Sequence, residues 1–291
     1  MAEATIPVDL FNPGQVFACL GFVEAAEVLL GDTAAAFDWR EPGTRFRIRS
    51  AGADNPIASV LAWLGQTEVM AQAPASSANR TDRWHVPTQL LSEQQPFPFP
   101  DPPSPATLPA ILAGAHGLSL AIDHWGDATS RDNVKFWAGS GGYPGCALLR
   151  DALDSVRGLT AAAVADPFSI ATPQSSSFRF DWRRDYVPMD VGFSPNDHSE
   201  ITMVGFPLVE IMAAIGLTNA RPVRLQNKLS YRYAVIGGAP PESMFSPLFL
   251  RAALGAASLP FTARVFRMRL DWPGQENQAR CITETYEEET P

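Results

Sequence analysis

The sequence predicts an α+β protein in which helices are mixed with largely antiparallel strands. Apolar residues recur at helical spacing after several Asn-Pro or Pro starts, whereas other segments alternate basic and apolar residues as half-buried strands do. These segments follow one another without a regular β-α-β rhythm. An α+β arrangement is therefore favoured over a doubly wound parallel sheet.

Composition indicates a folded protein outside the membrane. The chain has 291 residues, 46% of them hydrophobic and 18% charged, which is enough apolar material for one large core or two modest ones. No run of about eighteen apolar residues is present, and residues 1–7 lack a positive segment followed by an apolar one. We expect a cytoplasmic protein.

Net charge and cysteine content limit which ligands and cofactors are expected. Twenty-two basic and thirty-one acidic side chains give a formal charge of −9, which opposes diffuse binding to nucleic acid. Any such contact has to be local or shared with a more basic partner. Cys19, Cys146 and Cys281 lack metal-ligand or redox spacing and are interpreted as reduced thiols, so no cofactor is expected.

The N-terminal elements begin at two Asn-Pro pairs. Asn12-Pro13 predicts a helix that ends at Gly31, since Asn can cap free amides and Pro suits the first helical position. Residues 45–49 alternate Arg with Phe and Ile, which indicates a strand with a basic outer face. Asn55-Pro56 then predicts a second amphipathic helix of about three turns.

A proline-rich segment at residues 96–109 divides the chain. Proline fixes φ and disfavours helix in the preceding residue, so this segment is extended. It is interpreted as a connector or a strap between an N-terminal α+β part, 1–95, and a C-terminal α+β part, 110–291. One continuous domain is the alternative.

The C-terminal part repeats the same signals. Helices are predicted from Tyr143-Pro144 to Val156, from Pro207 to Gly216 and from Pro247 to Leu254. Strands are predicted at residues 118–122, 177–182, 229–236 and 265–272. The acidic residues 284–291 are expected to fray.

One cluster resembles a metal or acid-base site. Asp123, His124 and Asp127 place an imidazole near two carboxylates after a strand, with Asp197 or His198 as a further ligand, which would make a metal-dependent hydrolase or nuclease. Turn chemistry explains the cluster equally well, because Gly126-Asp127 suits a turn. The structural interpretation is favoured, since metal sites need three or four convergent ligands, and no metal is assigned.

Two other segments suit nucleic acid. Lys135 and Trp137 precede glycine-rich residues 139–145, a combination that allows phosphate binding and stacking, although a plain connector is favoured. Arginines interleave with aromatic residues in 177–186, where Arg179, Arg183 and Arg184 can grip phosphates. Asp181 and Asp185 can pair with them instead, and this internal network is favoured.

Two strand segments form further basic islands. They are Arg45, Arg47 and Arg49 in one, and Arg264, Arg267 and Arg269 in the other. A solvated face is the default interpretation of each. They matter for function only if folding brings them together.

Three segments carry a family resemblance. Residues 11–16, 124–139 and 177–186 resemble a CRISPR-associated family, the small Csb/Csx-type proteins encoded with type I-U systems, also called I-G. The similarity extends over most of the chain, including residues 274–278. It offers no catalytic residues to carry over.

The resemblance implies a role in antiviral defence. The expected function is that of a non-catalytic subunit or accessory of a crRNA-guided surveillance complex, with other effector subunits as partners and contact to crRNA or target DNA within the complex. Subunits of such complexes often have ferredoxin-like folds of the RNA-recognition type, so a divergent ferredoxin-like arrangement is one form of the predicted class.

Overall fold

The fold is mixed α+β, as the sequence predicts. A computed structural model describes residues 1–40, 42–95, 97, 102–125, 143–158, 163–174, 176–184, 203–238, 243–272 and 280–288. Within these ranges the helices are α1 (Pro13–Leu29), α2 (Pro56–Leu64), α3 (Gly145–Val156), α4 (Pro207–Asn219) and α5 (Pro247–Leu254). The strands are β1 (Ala2–Pro7), β2 (Ala34–Asp38), β3 (Arg45–Ser50), β4 (Glu68–Ala73), β5 (Thr88–Leu90), β6 (Ala110–Ala113), β7 (Ser119–Ile122), β8 (Thr172–Pro173), β9 (Val204–Gly205), β10 (Val223–Arg224), β11 (Ser230–Ile236), β12 (Ala263–Asp271) and β13 (Cys281–Glu288).

The N-terminal sheet has the strand order β1-β3-β2, and all its pairs are antiparallel. Phe46 and Ile48 of β3 are buried, whereas the arginines between them point to the other face, as the alternation predicts. The elements from β1 to α2 follow the first five elements of a ferredoxin-like β-α-β-β-α-β unit. The next strand, β4, pairs in a different sheet.

The C-terminal sheet has the antiparallel order β10-β11-β12-β13 and is joined to the N-terminal sheet. β2 pairs through Phe37 with Gly237 and through Ala35 with Phe245. A Cβ atom on Gly237 would lie 1.7 Å from the Phe37 carbonyl oxygen, so the join requires glycine. We call this join the seam.

A third sheet has the order β5-β4-β6-β7. β4 and β6 lie on either side of the proline-rich segment in the chain and are hydrogen-bonded antiparallel neighbours. β5 pairs in parallel with the other edge of β4. The sheet therefore draws strands from both sides of residues 96–109.

The core is centred on the contact between α1 and α4, where two glycines let the helix backbones approach. A Cβ atom on Gly21 would lie 1.9 Å from the Met212 carbonyl oxygen, and one on Gly216 would lie 2.2 Å from the Phe17 carbonyl oxygen. The prediction that Gly216 ends its helix is wrong, because α4 continues to Asn219. Gly216 lets α1 and α4 pack closely. In the sequence, a glycine with this role looks the same as a glycine that ends a helix.

The two Asn-Pro starts behave differently. Asn55 caps α2, since its Oδ1 accepts hydrogen bonds from the amides of Ile57 and Ala58 at 2.9 and 3.1 Å. Asn12 occupies the capping position of α1, but its Nδ2 donates instead to Asp181 Oδ1 at 2.9 Å. The first helix start is thus tied to a distant loop.

Two strand predictions are corrected. Residues 177–182 form no strand, because the amides of Phe180 and Asp181 donate to the Glu210 carboxylate and not to a neighbouring strand. Residues 281–288 form β13, where frayed chain was predicted for 284–288, because acidic side chains there meet arginines of β11 and β12. In the described ranges no helix has the length and apolar character needed to cross a membrane.

Candidate nucleic-acid interface

The predicted site residues separate into two groups. Lys135, Trp137, Asp127, Asp197 and His198 lie outside the described residues, as does Asp185. Arg179, Arg183 and Arg184 lie within them. Nucleic-acid contact by Lys135 and Trp137 therefore stays a prediction.

Arg183 is held by its own neighbourhood. Its guanidinium bonds to Asp181, with Nη2 2.6 Å from Oδ2 and Nε 3.0 Å from Oδ1, and donates to the Phe168 carbonyl at 2.8 Å. The same group lies 3.7 Å from the centre of the Phe206 ring. The side chain is 29% exposed and lines a cleft of about 300 Å³, while Nε and Nη2 donate to groups of the protein.

Arg184 and Arg179 are also placed by local structure. Arg184 is buried and donates to Ser177 Oγ and, at 3.2 Å, to the Gln174 carbonyl. Arg179 has φ of +67°, a left-handed conformation, and lies between the buried residues Phe178 and Phe180. Trp182 is 48% exposed and is the large apolar residue of this segment that faces solvent.

A buried polar network lies beneath this segment. Asp181 accepts from Asn12 and Arg183, and Glu210 Oε1 accepts from the amides of Phe180 and Asp181 at 3.0 and 3.1 Å. Burial raises the pKa of Glu210 to about 7, and the nearby Asp181 carboxylate adds to the increase. The network fastens the 176–184 segment to the starts of α1 and α4.

His124 lies in an aromatic cluster. It is buried, and its ring centre lies 4.6 Å from that of Trp125 and 6.0 Å from that of Phe180. Trp125 Nε1 donates to the Leu108 carbonyl at 2.8 Å. Within the described ranges no three His, Cys, Asp or Glu side chains are grouped to hold a metal ion. Because Asp127 lies outside these ranges, the hydrolase hypothesis stays a prediction.

The strand arginines are brought to one side of the joined sheets. Arg45, Arg47 and Arg49 share the face of β3 opposite Phe46. Arg232 faces Arg267 across β11 and β12, with Arg269 two residues further on. At the seam Phe37 is paired with Gly237, and Phe37 and Tyr233 both belong to the inner face. The register therefore places both arginine rows on the opposite, outer face, which we call the arginine face. Its members are Arg45, Arg47, Arg49, Arg232, Arg267 and Arg269.

Ion pairs occupy part of the arginine face. Arg47 pairs with Glu3 at 2.8 Å, and Glu288 bridges Arg232 at 2.7 Å and Arg267 at 2.9 Å. Arg45 is exposed. Among the described residues it has no acidic neighbour within ion-pair distance, and the same holds for Arg49. In the strand register, Asp38 lies opposite Arg45 and Glu3 lies opposite Arg49 on the same face, although neither makes an ion pair with its opposite arginine.

An apolar cleft of about 480 Å³ opens on the arginine face. Its floor is formed by outward-facing side chains of β11 and β12, and its wall by the segment that leads from α5 into β12. The residues that line it are Arg232, Ala234, Ala256, Ala257, Ser258, Leu259, Phe261, Ala263, Val265 and Glu288. The Arg232 and Glu288 pair is its charged component.

Comparisons with known proteins identify no relative. No protein-family model, curated protein or solved structure matched the chain.

Sequence reasoning missed Arg232, Glu288 and the cleft. Arg232 lies in a segment predicted as a strand, where alternation alone would have put it on the face opposite Tyr231 and Tyr233. Glu288 was assigned to a frayed end, so its pairing was not foreseen. The cleft depends on how residues 256–261 return to the sheet, for which the sequence carries no periodic signal.

Proposed function

We propose that the protein is a non-catalytic subunit or accessory of a type I-U (I-G) CRISPR surveillance complex in the cytoplasm, and that it contacts crRNA or target DNA there. The resemblance of residues 11–16, 124–139 and 177–186 to the Csb/Csx-type proteins supports membership of the assembly. The observation that carries the nucleic-acid contact is the arginine face, which collects six arginines from β3, β11 and β12. The same register places carboxylates of Glu3, Asp38, Glu284 and Glu288 on this face, so a phosphate would have to compete with them for the arginines. The face still supplies an acidic chain with a local group of cations for such a contact.

The spacing of the arginines suits an extended strand of nucleic acid. Alternate residues of a β-strand lie about 6.6 Å apart, a distance comparable with that between successive phosphates of an extended single strand. Arg45, Arg47 and Arg49 make such a row, and Arg267 and Arg269 make a shorter one. Arg183 and Arg184 are assigned a structural role, because Arg183 donates to Asp181 and the Phe168 carbonyl, and Arg184 donates to Ser177 and the Gln174 carbonyl.

Exposed apolar residues support a protein partner. Leu248 and Phe249 of α5 are 67% and 39% exposed, and Phe249 lies edge-on to Phe261 at 5.1 Å. The formal charge of −9 favours a basic neighbouring subunit. We therefore expect a partner subunit to cover Leu248 and Phe249.

A pull-down tests the assembly. The tagged protein is purified from a host that expresses a whole type I-U locus, and co-purifying proteins and short RNA are identified. Effector subunits and crRNA are expected to copurify. Recovery of the protein alone and without nucleic acid would overturn the proposal.

A salt titration tests the contact surface. Binding of a labelled single-stranded oligonucleotide is measured against salt for the wild type and for the double variant R45E/R49E. Each lost phosphate contact lowers the slope of log K against log salt by about 0.7, so a decrease of about 1.4 is expected. R80E/R83E is the matched control, because Arg80 and Arg83 are exposed and lie between β4 and β5. Equal slopes for wild type and double variant would exclude the arginine face.

A further inference from the structure

We infer that the apolar cleft on the arginine face binds one unpaired nucleobase of a single strand whose phosphates lie on the flanking arginines. This inference rests on the proposed nucleic-acid contact and names the ligand of one part of that face. It adds a base-binding site to a surface otherwise explained by phosphate attraction alone.

The walls of the cleft suit a flat apolar ring. Ala234, Ala263 and Val265 form a floor of small side chains, and Leu259 and Phe261 form the side. The volume of about 480 Å³ lies within the range of roughly 300–1,000 Å³ that ligand pockets have. Small residues on the floor leave room that larger aliphatic residues would fill.

The ion pair of Arg232 and Glu288 favours entry of the base, and not of the phosphate, into the cleft. Glu288 lines the cleft, so a phosphate placed inside would meet a carboxylate. A neutral base meets no such repulsion. The carboxylate can accept a hydrogen bond from a base amino group, and the Arg232 guanidinium can donate to base oxygen or nitrogen atoms.

Arginines beside the cleft lie where the phosphates of a nucleotide would be if its base were inside. Arg267 shares Glu288 with Arg232 and lies beside the cleft on β12, with Arg269 next along the same face. The Tyr286 ring is exposed, and its hydroxyl lies 3.0 Å from Arg267 Nη1. Arginines paired with Glu288 thus stand next to a pocket whose wall includes the aromatic ring of Phe261, and cations beside an aromatic ring suit single-stranded nucleic acid.

The test compares two oligomers of equal length and charge. One is a labelled single strand with bases, prepared as RNA and as DNA, and the other is an abasic sugar-phosphate strand. The wild type is expected to bind the strands with bases roughly tenfold more tightly, since one buried base contributes in this range. Comparison of the RNA and DNA forms shows whether the cleft binds a base of RNA or a base of DNA more tightly.

Two variants separate the base site from the phosphate sites. Ala257 is exposed at the cleft wall, so A257L fills the cleft with little cost to folding. It is expected to remove the preference for bases and keep the affinity for the abasic strand. R267A is expected to lower the affinity for both oligomers by a similar factor and to keep the preference for the strand with bases. Thermal unfolding of each variant confirms that the fold is intact.

The outcomes are distinct. Equal binding of both oligomers by the wild type, or an unchanged preference in A257L, would overturn the base site and leave the proposed function standing. Failure of the wild type to bind either oligomer would overturn both the base site and the arginine face as a contact surface.

Discussion

Replacement of Glu210 by Gln should stabilise the protein above neutral pH and change little near pH 4.5. The Gln side chain keeps the oxygen that accepts hydrogen bonds from the amides of Phe180 and Asp181. It removes the negative charge, which burial disfavours so strongly that the pKa of Glu210 rises from 4.5 to about 7. The variant therefore isolates the cost of ionising a buried carboxyl group.

The magnitude follows from the change in pKa. At about 1.4 kcal/mol for each tenfold change in proton affinity, a rise from 4.5 to about 7 corresponds to about 3 kcal/mol. Between these two pH values the unfolded chain has lost the proton while the folded protein keeps it. The free energy of unfolding of the wild type therefore falls as pH rises through this window, and E210Q lacks this decrease.

Urea unfolding at about pH 4.5 and at about pH 8 measures the effect. The stability of E210Q relative to wild type should increase between the two conditions by up to about 3 kcal/mol. E93Q is the control, because Glu93 is exposed and its charge costs the fold little. A difference between E210Q and wild type that stays the same at both pH values would refute the assignment of a buried, protonated Glu210.

Three further predictions concern packing, an ion pair and a thiol. G21A should lower the free energy of unfolding by about 1–3 kcal/mol because a Cβ atom would meet Met212, whereas G158A, with open space around its Cβ position, should change it little by urea titration. R251M should lower the free energy of unfolding by about 1–3 kcal/mol, because the buried Glu24 carboxylate would lose its arginine partner at 2.6 Å. An unchanged free energy of unfolding would show that the ion pair does not stabilise the fold. Burial raises the pKa of Cys146 to about 12, so peptide mapping should find it alkylated by iodoacetamide only after denaturation, and rapid labelling of the native protein would contradict this.

The elements with a strong local period were predicted well from the sequence. α1 and α2 begin where Asn-Pro pairs indicate, and β3 shows the alternation of Arg with buried Phe46 and Ile48. In α2 and β3 local preference and tertiary environment agree, because each buries the face that its pattern makes apolar. α1 is instead buried on all sides from Pro13 to Ala26.

The failures share a tertiary cause. Residues 177–182 alternate like a strand, yet their amides are bonded to Glu210, a partner that only the folded chain supplies. Gly216 looks like a helix end but lies inside α4 because α1 passes close to it. Arg183 pairs with Asp181 and Arg184 donates to the Gln174 carbonyl, which is the internal network that the sequence favours for this segment.

The arginine face also depends on a long-range contact that the sequence does not reveal. Each basic row could be found from alternation along one strand. That both rows lie on one side depends on the pairing of Phe37 with Gly237, two residues that nothing in their local sequence connects. Long-range pairing is therefore what converts two ordinary basic strands into one surface.

The seam also has a consequence for the time at which this surface forms. β1, β2 and β3 lie within residues 1–50 and can pair as soon as they are synthesised, whereas the partners of β2 at Gly237 and Phe245 are synthesised much later. Pairings of such long sequence separation close slowly, because the intervening chain must first be ordered. A ribosome-bound or incomplete chain would thus display one basic row without the other. Binding of a ligand that spans both rows would therefore require that the pairing of β2 with Gly237 and Phe245 has formed.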